Sequence, residues 1–151
     1  FAVPGYNLRN SEINAVLGLS QIKRLDDNIE KRIENFDTWV KNLNSDKFYV
    51  DYEIEGNSNF SLPLILKEKD DDLFKIICLL LESEKIEYRL GTAGGGNQAR
   101  QPYLAEGKYT FAINHELTNT DHIHSYGLYI GNHTDLKEEQ IIDLCQKINV
   151  L

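Results

Sequence analysis

The 151 residues are 41% hydrophobic and 26% charged, the balance of a chain that builds a core and not of a disordered one. Acids outnumber bases 24 to 16, a net charge of −8, which excludes a generic nucleic-acid or anionic-membrane binder. Cys78 and Cys145 lie too far apart for a metal motif, no apolar run approaches the ~20 residues of a membrane span, and no secretory pattern opens the chain, so a cytoplasmic setting is expected.

There is no methionine, even at position 1. A trimmed start or a piece of a longer protein would each explain an opening on Phe1-Ala2-Val3-Pro4-Gly5. In chain order, Pro4-Gly5 is a turn signal and Ser11 a plausible N-cap for a first helix carrying Ile13, Val16, Leu17 and Leu19. Asp26-Asp27 re-phase the chain into a second helix. Its stripe is Leu25, Ile29, Ile33, Phe36, Val40 and Leu43, with Trp39 beside it. Phe48 to Ile54 reads as a strand, and Phe60 to Leu66 as another, with Pro63 marking an edge or bulge. Lys67 to Asp72 is a charged corner before a third helix through Leu73, Ile77 and Leu81. Ile86 to Leu90 is a short strand, residues 91–107 a glycine-rich loop, and His124 to Gly131 a further strand. Asp135, with Glu138 three residues on, caps a last helix striped by Leu136, Ile141, Leu144, Cys145 and Ile148.

The expected fold class is α/β (α+β): a helical pair, residues 1–44, followed by a small mixed sheet with helices on one face, residues 45–151. The break near residues 44–47 is the one candidate boundary.

Chemistry concentrates where acids are missing. Between Glu87 and Glu106 there is no carboxylate, yet Arg89 and Arg100 lie inside; before Glu12 there is none, and Arg9 lies there. An anionic ligand would meet least repulsion in these windows. On composition alone, chance spacing explains them at least as well. The run Thr92 to Asn97 is rich in glycine but lacks either phosphate-loop pattern, so a mobile surface loop is the better reading. His115, His122, His124 and His133 crowd the last third, with His122 and His124 on one strand face. Neither a metal set nor a nucleophile pairing follows from their spacing. Cys78 and Cys145 read as buried, inert thiols.

Gly5-Tyr6-Asn7-Leu8-Arg9, Ser11-Glu12-Ile13-Asn14-Ala15 and Gly18-Leu19-Ser20-Gln21-Ile22 resemble the helix that follows the cofactor-lysine region in the DegT/DnrJ/EryC1/StrS family. These are sugar aminotransferases and dehydratases that use pyridoxal 5'-phosphate or pyridoxamine 5'-phosphate and have the fold-type I architecture. Gly96-Asn97-Gln98-Ala99-Arg100-Gln101-Pro102-Tyr103 and Ile123 to His133 resemble the nucleotide-sugar 3-dehydratase branch, which works on CDP- or GDP-linked 4-keto-6-deoxyhexoses. The resemblance implies the C-terminal small domain of such an enzyme. The large domain, with the lysine that forms the Schiff base or the histidine that replaces it, would precede Phe1.

The same resemblance implies roles. Asn7 would reach the cofactor phosphate of the neighbouring subunit of a homodimer. Arg9, Asn97, Arg100 and Gln101 would face the nucleotide-sugar, although Arg100 and Gln101 serve loop-internal hydrogen bonds almost equally well. A reductase partner would act on the product in deoxysugar and lipopolysaccharide synthesis. The isolated chain would fold but lack turnover. Two alternatives stand beside this reading: an aminotransferase of the same family, and a non-catalytic binding or assembly module.

Overall fold

The computed structural model of the protein describes residues 11–91, 96–100 and 116–151. Helix α1 (Glu12–Ile22) starts where Ser11 Oγ accepts a bond from the Asn14 N–H at 3.3 Å. It buries no residue: Ile13 is 74% exposed, and Val16, Leu17, Leu19 and Ile22 are also open. Helix α2 (Leu25–Asn42) carries Asp26 and Asp27 in its first turn, where carboxylates suit the positive helix end. Only the inner part of its stripe is covered. Phe36 and Leu43 are buried and Trp39 sits in the core, whereas Leu25 and Ile33 remain exposed.

Among the described residues the sheet has three strands in the order β1-β3-β2: β1 (Ser61–Ile65), β2 (Tyr88–Leu90) and β3 (Gly127–Gly131). Both pairings are antiparallel, so this sheet is not the mixed one expected. Leu62 faces Ile130 and Leu64 faces Leu128 across the ladder, all on one side. Against that side pack Phe36 and Trp39 of α2, Ile77 and Leu81 of α3 (Asp71–Ser83), and Ile141, Cys145 and Ile148 of α5 (Glu138–Asn149). The expectation of helices on one face therefore holds among the described residues. On the other side Pro63, Tyr129 and Arg89 share a register, and Phe60 stacks edge-on to Tyr129 while 68% exposed.

Three segments differ from the sequence reading. Phe48 to Ile54 is not a strand; it makes one isolated bridge, Phe48 to Leu66, with Tyr49 N–H donating to Ile65 O. The next hydrogen-bonded pair along that edge would need an N–H from Pro63, which has none, and the Pro63 carbonyl already accepts from Trp39 Nε1 at 2.8 Å. The expected edge strand is thus real, and its proline is what keeps the edge from being extended.

His124 to Tyr126 are not strand either. They end helix α4 (Thr118–Tyr126), and the strand begins only at Gly127. A Cβ at Gly127 would lie 2.5 Å from the Ile123 carbonyl oxygen, so glycine permits the switch from helix to strand. The last helix begins after Lys137, not after Asp135, with the Lys137 N–H donating to Gln140 Oε1 at 3.0 Å. Leu136, just outside it, packs on the core and staples the helix entry.

Candidate functional site

Two described glycines of the glycine-rich segment lie against the body of the domain. Gly91 and Gly96 lie against α4: a Cβ on Gly91 would meet the Ile123 carbonyl at 2.7 Å, and one on Gly96 would overlap the Gly91 carbonyl and the His124 ring. Only glycine lets the backbone come this close. From there the chain turns through a short 3₁₀ helix, Gln98–Arg100.

Asn97 organises the turn. It is 4% exposed. Its N–H donates to His124 Nδ1 at 3.1 Å, its Nδ2 donates to Asp121 Oδ1 at 2.6 Å, and its Oδ1 accepts from the Ala99 N–H at 2.9 Å. The first bond requires an unprotonated Nδ1 on His124. Asp121 Oδ1 accepts a second bond, from Arg100 Nε at 2.7 Å. The guanidinium, then the Asn97 amide, hold the Asp121 carboxyl below the usual carboxylate range. In return Asp121 raises the Arg100 guanidinium.

Arg100 and Asp121 border a cavity of about 290 Å³ in the company of Lys69, Thr118, His122, Ser125 and Tyr126. Two cations, Lys69 and Arg100, thus line it with the hydroxyls of Thr118, Ser125 and Tyr126. Asp121 is already engaged, and Asp71 accepts from Tyr126 Oη at 2.9 Å, which pushes the Tyr126 phenol up. His122 also lines it, its Nε2 2.6 Å from the Leu66 carbonyl. The arrangement can orient an anionic ligand through charge-assisted hydrogen bonds; among the described residues it holds no nucleophile and base in reach of each other.

Of the residues singled out in the sequence, Asn97 and Arg100 come together here. Asn97 is spent on internal bonds, so it serves the loop rather than facing a ligand. Arg100 makes a loop-to-helix ion pair and still borders the cavity. Asn7, Arg9 and Gln101 lie outside the described residues. Asp121 went unnoticed in the sequence, and His124 was read on a strand; only recognition of α4 would have put the two one helical turn apart on a common side. His122 and His124 are not on one strand face. Among the described residues no group of His, Cys, Asp and Glu is arranged to hold a metal, and no helix is long and apolar enough to cross a membrane. Cys145 is buried, with its thiol pushed up to about 12, and Cys78 is half-buried.

Comparison with known proteins gives a consistent picture. The profile of the DegT/DnrJ/EryC1/StrS aminotransferase family matches residues 2–149. The lipopolysaccharide biosynthesis protein RfbH of Salmonella typhimurium is 34% identical over 141 residues, 91% of this chain and 31% of that protein. GDP-4-keto-6-deoxy-D-mannose 3-dehydratase of Yersinia pseudotuberculosis is 35% identical over 146 residues, 95% of this chain and 36% of that protein. Among solved structures, the Escherichia coli GDP-4-keto-6-deoxy-D-mannose-3-dehydratase with bound hydrated PLP superposes with a TM-score of 0.80 at 24% identity, over 99% of this chain and 38% of that one. The last likeness speaks for the fold. The chain spans about a third of the length of the curated relatives it matches.

Proposed function

Because this chain belongs to the DegT/DnrJ/EryC1/StrS aminotransferase family, we propose that it is the C-terminal, substrate-facing part of a nucleotide-linked 4-keto-6-deoxyhexose 3-dehydratase. The observation that carries the reading is the 35% identity to GDP-4-keto-6-deoxy-D-mannose 3-dehydratase across 95% of this chain. The enzyme would work in deoxysugar synthesis for a cell-surface polysaccharide, in the cytoplasm, as a homodimer whose product passes to a reductase.

Pyridoxamine or pyridoxal phosphate would supply the electron sink for loss of the C3 hydroxyl. The residue that accepts or delivers the proton belongs to a part of the protein outside this chain. Asn7 fits the cofactor phosphate by chemistry, since an amide donates to an oxyanion without adding charge. The work of the described residues is binding and orientation. Arg100 and Lys69 present cations to the diphosphate or a sugar oxygen, and Thr118 and Ser125 add hydroxyls.

The exposed apolar surface of α1 supports the same reading. Ile13, Val16, Leu17, Leu19 and Ile22 offer a hydrophobic face with nothing against it among the described residues. Such a face is normally covered. The two thirds of its relatives' length that this chain lacks would supply the cover, together with the neighbouring subunit.

The test is product analysis with the intact polypeptide that carries this chain. Supplied with pyridoxamine phosphate and GDP-4-keto-6-deoxy-D-mannose, it is expected to release a 3-deoxy sugar. An amino sugar as the sole product would favour the aminotransferase reading instead.

A further inference from the structure

We propose that Asp121 is a positioning residue for substrate binding: backed by Asn97 and His124, it aims Arg100 at the anionic part of the nucleotide-sugar. This rests on the reading that Arg100 meets the substrate and adds to it the means by which the guanidinium is oriented.

The geometry distinguishes holding from binding. Asp121 uses one oxygen, Oδ1, for both Arg100 Nε and Asn97 Nδ2, at 2.7 and 2.6 Å. Arg100 donates to it through Nε; no bond from its terminal amino groups is made among the described residues. An arginine gripped at Nε keeps its two-pronged end for a planar or tetrahedral anion. It also loses freedom before the ligand arrives, so less ordering is left to oppose binding.

Asp121 is in turn held from behind. Asn97, at 4% exposure, is fixed by the Ala99 N–H on one side and donates to His124 on the other. Gly96 lies so close under the His124 ring that no side chain fits there. The loop that carries Arg100 and the helix that carries Asp121 are thereby locked in one relative position. A surface ion pair formed only for stability would need none of this backing, since an exposed pair contributes little. Arg100 and Asp121 side chains are 53% and 38% exposed, open enough for the arginine end to meet a ligand in the cavity shared with Lys69.

The test is a double-mutant cycle in the intact polypeptide, read as KM for the nucleotide-sugar and kcat, with cofactor affinity measured separately. Arg100→Ala is expected to raise KM roughly 10- to 100-fold, with kcat and cofactor affinity little changed. Asp121→Ala is expected to raise KM about tenfold in the native background and not at all in the Arg100→Ala background, because its effect runs through Arg100. Asp121→Asn keeps an oxygen for Nε and is expected to fall between the native protein and Asp121→Ala; it carries the same cycle if Asp121→Ala fails to fold.

Equal costs of the Asp121 change in both backgrounds overturn the proposal, as does an unchanged KM in Asp121→Ala when Arg100→Ala raises it. An unchanged KM in Arg100→Ala removes the underlying reading of Arg100 and the proposal with it.

Discussion

At Asn132, 2% exposed, one carboxamide ties three segments together. Its Nδ2 donates to the Arg32 and Asn59 carbonyls at 3.0 and 2.9 Å, and its Oδ1 accepts from Asn35 Nδ2 at 3.0 Å. Buried polar groups stabilise only when every partner is in place, and removing one strands the others. Asn132→Ala is therefore expected to destabilise the domain by about 2–4 kcal/mol in urea unfolding. A loss below about 0.5 kcal/mol would show that water replaces the amide without cost. Titration offers a second residue-scale prediction. Burial pushes the Cys145 thiol from 9.0 and the Tyr52 phenol from 10.0, each up to about 12. Both groups keep their protons longer in the folded chain than in the unfolded one. Their contribution is intact below about pH 9 and is lost as pH rises toward about 12. Stability measured across that window is expected to fall; a profile that stays level through it would contradict the burial of these groups.

Elements with a strong stripe were legible. Helix α2, α3 and α5 each announce themselves by apolar residues at three- and four-residue steps, and each buries the core-facing part of that stripe. In the charged corner before α3, Asp70 caps the helix, accepting from the Leu73 N–H at 2.8 Å. Helix α4 was not legible because it buries no residue and carries no stripe; its role is to present Asp121 and His124. Phe48 to Ile54 misled for the opposite reason. Its alternation is genuine, but a strand needs an edge to pair with, and the proline at that edge refuses. The site was half legible: the polar cluster around Asn97 and Arg100 stood out, while its counterparts lie in a separate segment whose secondary structure was misread. The glycines at the loop root make an element-scale prediction. Gly96→Ala is expected to force the Gln98–Arg100 turn off α4, raising hydrogen exchange at the Asn97 amide by more than tenfold, since it loses its bond to His124. Unchanged exchange there would mean that the close approach is not required.

On the scale of the whole molecule, an antiparallel sheet shielded on one side by three helices makes a self-consistent core, while α1 and the Pro63–Tyr129–Arg89 face point away from it. That division fits the proposal that the chain is part of a larger enzyme, with one side serving stability and the other left for assembly. Leu17→Asp, on the open face of α1, is expected to leave the core's stability unchanged within about 0.5 kcal/mol yet weaken the proposed dimer of the intact protein in sedimentation. Dimerisation as tight as that of the native protein would show that this face is not covered in the assembly.

The most direct measurement is equilibrium binding of the nucleotide-sugar and of the cofactor to the intact polypeptide with Arg100→Ala. The account predicts that the affinity for the nucleotide-sugar drops roughly tenfold or more while cofactor affinity holds. Equal losses for both, or none for either, would contradict it.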